Sequence, residues 1–99
     1  MSLLVRYTLK SADSHAHQIT AMTDLVNGLI SEGVQGVHYS CFSTGDDTAF
    51  IGLLEFDDEA GKQAFLSSAA FASYRDLVGP TFANPPETTE ISPIASTRG

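Results

Sequence analysis

In the segment LLVRYTL, residues 3–9, Leu3, Val5, Tyr7 and Leu9 alternate with Leu4, Arg6 and Thr8. This period of two predicts a first strand. From residue 14 the period lengthens: Ile19, Met22, Leu25, Val26, Leu29 and Ile30 recur at steps of three and four, which gathers them on one side of a helix. Asp13 or Ser14 is placed to cap that helix and Gly33 to end it. VQGVHYSCFS and TAFIGLLEF, both rich in strand-favouring residues, flank the turn-forming TGDD and predict a hairpin. Asp57 or Asp58 then opens a second helix, with a break expected near Ser67 and Ser68 and a stop at Gly79-Pro80. After two further prolines, Thr88 to Ala95 reads as a last strand, which Pro93 assigns to an edge or bulge.

The predicted order is β-α-β-β-α-β, the ferredoxin-like α+β arrangement of one antiparallel sheet with both helices on one face. The other face is apolar too, because Leu4, Ile51 and Leu53 alternate away from the helix-facing set. Leaving that face wet costs roughly 25 cal/mol per Å² of apolar surface, so a homodimer through the open sheet face is expected.

The length of 99 residues suits one domain, 1–99, with residues 96–99 a frayed tail. Twelve acidic against five basic side chains give a net charge of -7, which repels phosphate backbones and anionic lipid, so neither nucleic acid nor membrane is an expected partner. Cys41 is the single cysteine, no apolar run approaches membrane-spanning length, and MSLLVRYTLK lacks the layout of a signal peptide. A cytoplasmic location is expected from these features.

His38 is the candidate acid or base, being the side chain that titrates near neutral pH inside a strand, although a strand histidine also serves simply to bond a carbonyl. By alternation His38 and Tyr39 face opposite ways. Tyr74 and Arg75 are candidates to orient an anion, Tyr74 pointing inward with Phe71 and Arg75 alternatively pairing at the surface with Asp76, Glu59 or a partner chain. Glu55, at a strand end, is read as a cap or as pairing with Arg6 or Lys62. Tyr7, Tyr39, Phe65, Phe71 and Phe82 are the candidate lining of an aromatic cavity, with core packing as the alternative for Phe65. His15 and His17 project about 200° apart on a helix, which suits solvation better than one metal. No metal site and no phosphate or dinucleotide motif is recognised.

VRYTLK, FIGLLEFDDEAGKQAFLSS and FASYRDLVGPTFANPPE, with Glu55-Phe56 at the end of the third strand, resemble the dimeric α+β barrel proteins of the antibiotic-biosynthesis-monooxygenase type. The resemblance extends from Leu3 to Ala95. It implies a homodimer with a pocket between sheet and helices in each subunit. Some members oxidise phenols or quinols with dioxygen and no metal or flavin, and others degrade haem. Phe65 and Ala70 stand where many members carry histidines, Arg75 lies about where the haem-degrading branch has its axial histidine, and the first strand has no asparagine. Arginine stays protonated and cannot ligate iron, which disfavours haem degradation. The resulting expectation is a cofactor-independent monooxygenase-like protein acting on a small aromatic substrate, with His38 as base and Tyr74 or Arg75 stabilising the anion. The alternative is a binding protein of the same fold that holds a small aromatic or apolar ligand without turnover.

Overall fold

The computed structural model describes residues 1–98; Gly99, the end of the tail expected to fray, lies outside the described residues. Strand β1 (Ser2–Thr8) leads through a single 3-10 turn at Ala12–Ser14 into helix α1 (His15–Ser31). Strands β2 (Val37–Ser43) and β3 (Ala49–Phe56) follow, then helices α2 (Glu59–Leu66) and α3 (Ala69–Val78) and strand β4 (Glu87–Ile91). The four strands form one antiparallel sheet in the order β2-β3-β1-β4. The two strands central in space therefore come from opposite ends of the first half of the chain, which is the split topology expected.

Side-chain caps settle where α2 and α3 begin, whereas α1 starts without one: neither Asp13 nor Ser14 makes the expected cap bond, and Ser11 instead accepts the Asp13 N–H of the preceding 3-10 turn. Asp58, in extended conformation, accepts the Gly61 backbone N–H at 2.9 Å and starts α2. Ser68 does the same for α3, accepting from Phe71 N–H at 3.2 Å while its hydroxyl donates to the Phe65 carbonyl at 2.7 Å. One serine thus ends one helix and begins the next, at the expected break. Beside it, the Glu32 carboxylate accepts the N–H groups of Ala69 and Ala70 at 3.0 and 2.8 Å, tying α1's C-terminal end to α3's N-terminal end. A 3-10 turn at Gly79–Thr81 closes α3.

Register puts Tyr7 opposite Phe50, Val5 opposite Gly52 and Leu3 opposite Leu54, all on the helix side. Tyr39 and Cys41 of β2 join that side opposite Leu54 and Gly52. There they meet Ala21, Met22, Leu25 and Leu29 of α1, Phe65 of α2, and Tyr74 and Val78 of α3. Close helix packing is allowed by Gly28, where a Cβ would stand 2.8 Å from the Ala70 Cβ. Gly36, at φ +76°, lets the chain turn against Gly61 so closely that a Cβ on either would press on the other's backbone.

The open face carries Leu4, Ile51 and Leu53, all half-buried, with Phe42 51% exposed beside them. The last strand is shorter than expected: β4 stops at Ile91, because Pro93 cannot donate to a ladder and residues 92–98 form neither helix nor strand. Ile94 in that segment is wholly exposed.

Candidate functional site

Sheet and helices do not close on each other completely. A cavity of about 440 Å³ remains between the helix-facing side of β1, β2 and β3 and the helices α2 and α3, within the size range of small-molecule sites. Phe56, Phe65, Phe71 and Phe82 wall it with Leu54 and Val78. Phe65 stacks at a tilt on Phe71, centroids 4.5 Å apart, so two turns of different helices act as one aromatic wall. Phe82 does the same for Tyr7 at 5.5 Å.

Tyr7, Tyr39 and Tyr74, all the tyrosines of the chain, also line this cavity. The Tyr7 and Tyr39 hydroxyl oxygens lie 3.5 Å apart. That separation exceeds the ~2.7–2.8 Å of a full-strength hydroxyl pair, so both groups keep hydrogen-bonding capacity for a third partner. Tyr74 is better satisfied: the wholly buried Gln18 of α1 donates its Nε2–H to the Tyr74 hydroxyl at 2.9 Å. Gln18 Oε1 has no partner among the described residues. The Tyr74 ring meets Tyr7 edge-on, centroids 6.3 Å apart.

Burial raises all three phenol pKa values, because a phenolate would lose its hydration there. For Tyr39 and Tyr74 the neighbouring Tyr7 adds to the effect. The three are therefore neutral hydrogen-bonding groups across the physiological range and not bases. Cys41, half-buried near them, is also shifted upward by burial, which keeps it a thiol. Beneath the tyrosines, Gly52 supplies the room: a Cβ there would stand 3.0 Å from Tyr39 Cε1, 3.1 Å from its hydroxyl and 3.2 Å from Tyr7 Cε2. The sequence reading passed over Gly52 and Gln18. Gly52 sits at an inward position of a strand, where a glycine marks a close approach, and that signal was available.

Of the expected lining residues, Tyr7, Tyr39, Phe65, Phe71 and Phe82 are all brought together here, and Tyr74 and Arg75 with them. Phe65 serves both alternatives, being 2% exposed and part of the core as well as of the wall. Arg75 forms no pair with Asp76 or Glu59; its guanidinium carbon stands 4.9 Å from the centre of the Phe71 ring. His38 does not join them. It projects from the opposite face of β2, cross-strand from Glu55, and its Nε2 lies 3.2 Å from Asp57 Oδ1 with both side chains more than 60% exposed (65% and 62%). Strand alternation puts Tyr39 in and His38 out, so this chain brings no imidazole to the cavity from that position.

The other two histidines stand at the start of α1, His15 half-buried and His17 exposed. His15 Nδ1 lies 2.8 Å from the Asp47 carbonyl, with its ring 5.0 Å from Phe50, and His17 Nε2 lies 3.0 Å from the Leu77 carbonyl. They fasten the start of α1 to the β2–β3 turn and to α3. Glu55 pairs with neither Arg6 nor Lys62 and stands opposite Ser2 and His38. Among the described residues no group of three or more His, Cys, Asp or Glu side chains is placed to hold a metal ion, and no helix is long and apolar enough to cross a membrane.

This split sheet, with three helices on one face and a cavity beneath them, is a ferredoxin-like α+β fold that solved proteins named antibiotic biosynthesis monooxygenases also have. A protein of Nitrosomonas europaea provisionally named an antibiotic biosynthesis monooxygenase matches 96% of this chain and all of its own (100%), at 18% identity and a TM-score of 0.77. A similarly named protein of Bacteriodes thetaiotaomicron matches 98% of this chain and 91% of its own, at 14% identity and a TM-score of 0.81. A second Nitrosomonas europaea protein, of unknown function, matches 97% of this chain and 90% of its own, at 22% identity and a TM-score of 0.66. At such identities what is shared is the fold. No protein-family model and no curated protein matches the sequence.

Proposed function

We propose that the protein binds a small phenol- or quinol-type aromatic molecule in this cavity, as a homodimer whose two sheets meet through their open faces. The observation that carries the reading is the under-bonded Tyr7–Tyr39 hydroxyl pair inside an aromatic wall. A ligand hydroxyl placed between the two oxygens accepts from one and donates to the other, which completes bonds that the protein leaves long. The flat aromatic body then fills the space between Phe65, Phe71 and Phe82. The cavity draws on residues from Leu3 to Thr88, which supports reading residues 1–99 as one domain.

The test is a matched pair of ligands. 1-Naphthol is expected to bind about tenfold more tightly than naphthalene, the equivalent of ~1.4 kcal/mol for one well-made hydrogen bond, and Tyr39→Phe to abolish that preference. Equal binding of the two by the unmodified protein would sink the reading.

A second reading, oxygenation of the bound molecule, is favoured by the same tyrosines together with the names of the structural neighbours. No carboxylate or imidazole is among the residues lining the cavity, so the substrate ionises through its own acidity, assisted by neutral phenol donors directed at the oxyanion. The substrate anion supplies all four electrons to dioxygen. One oxygen atom replaces the two hydrogens of a methylene as a carbonyl, and the other leaves as water. Dithranol is a suitable probe in an oxygen electrode. Consumption that exceeds the spontaneous rate and falls at least about tenfold in Tyr39→Phe supports turnover; a rate equal to the spontaneous one leaves the binding reading alone.

A further inference from the structure

The charges around the cavity run against the charge of the chain. Acidic residues outnumber basic ones twelve to five, yet the charged side chains lining the cavity are Lys62 and Arg75 and no acidic residue. The ion pair formed among the described residues is that of His38 with Asp57, so neither of these two cations has a carboxylate partner there. In a molecule of net charge -7, cations left without carboxylates beside an apolar cavity are an arrangement that electrostatics alone does not produce.

Their local geometry leaves both available. Arg75 is exposed on α3 with its guanidinium carbon 4.9 Å from the centre of the Phe71 ring, and it makes no ion pair among the described residues. Lys62 is half-buried on α2 and lines the same cavity as Phe65 and Leu66. The two therefore line the cavity from different helices, while Tyr7 and Tyr39 line it from the sheet. A ligand that carries a negative charge at the end opposite its phenol satisfies both ends together. Two cations without carboxylate partners at that end favour an acid over a neutral molecule of the same shape by direct charge attraction.

Resting on the aromatic-ligand reading above, we infer that Lys62 and Arg75 form an anion clamp at the cavity opening, and that the ligand is an aromatic acid bearing a hydroxyl group, bound with its carboxylate at the helices and its hydroxyl at Tyr7 and Tyr39.

The discriminating probes are 6-hydroxy-2-naphthoic acid and its methyl ester, which share ring and hydroxyl and differ in charge. The protein is expected to bind the acid about tenfold more tightly than the ester, an advantage that shrinks as salt is raised because the pair is partly exposed. In Lys62→Gln and Arg75→Gln the acid-to-ester ratio falls, and in the double variant it approaches one, with the near-ultraviolet circular dichroism of each variant confirming intact packing. An acid and ester bound equally by the unmodified protein, or a ratio that survives the double substitution, overturns the clamp and leaves the cavity reading standing. Failure of both compounds to bind overturns the cavity reading and the clamp with it.

Discussion

Tyr7, Tyr39 and Tyr74 stand within one cluster, and their shared burial has a consequence that reaches beyond the site. Each phenol has its pKa raised in the folded chain, while in the unfolded chain it ionises near its ordinary value of about 10. Below that pH both states are protonated and the tyrosines add no pH dependence. Above it the unfolded state loses protons that the folded state retains, so stability falls as pH rises. Because these three are all the tyrosines present, absorbance at the tyrosinate band is expected to stay low through the ordinary range and then to rise in one cooperative step together with loss of ellipticity. A gradual, independent titration near the ordinary value would contradict the buried cluster. His38 illustrates the opposite limit: one residue away from Tyr39, it belongs to the other face of the sheet, and a period of two is enough to keep it out of the cavity.

The element on which the cavity wall depends is the broken helix. A continuous helix over residues 59–78 would carry Phe65 and Phe71 as positions six apart on different sides of one cylinder. The break at Ser68 redirects α3 so that the two rings stack, and Gly28 lets α1 approach α3 at Ala70. Ser68→Ala removes the hydroxyl that both ends α2 and caps α3, and leaves the buried Phe65 carbonyl without that partner. A loss of about 1–2 kcal/mol in urea unfolding is expected, with weakened binding of 1-naphthol because Phe71 loses its anchor. Unchanged stability would mean that Glu32, whose carboxylate accepts from Ala69 and Ala70, sets the start of α3 alone.

At the scale of the whole molecule the unresolved apolar surface is the open face of the sheet, where Leu4, Ile51 and Leu53 form a stripe flanked by Phe42. Under the proposed dimer this stripe becomes a second core shared by two copies. Ile51→Arg puts a charge at its centre, directly opposite Arg6 on the neighbouring strand, and is expected to shift the protein from dimer to monomer in light scattering while leaving far-ultraviolet ellipticity intact. A protein that is monomeric before the substitution would exclude the sheet face as a self-association surface.

Local periodicity determined much of this protein. Alternation in residues 3–9, the three- and four-residue steps from Ile19 to Ile30, and the serine pair at 67–68 each depend on neighbours along the chain, and the first strand, the first helix and the break appear where those signals place them. The membership of the aromatic wall was legible for the same reason, since inward-facing aromatics of amphipathic elements have one side on which to meet. Tertiary structure alone decided that Tyr7 and Tyr39, thirty-two positions apart, stop 3.5 Å from each other over Gly52, that Gln18 bonds Tyr74 across fifty-six positions, and that two of the five basic side chains line the cavity. Periodicity tells which face of an element is buried; the register of β1 on β3 and of β3 on β2, and the angle of two short helices over them, set which buried groups touch.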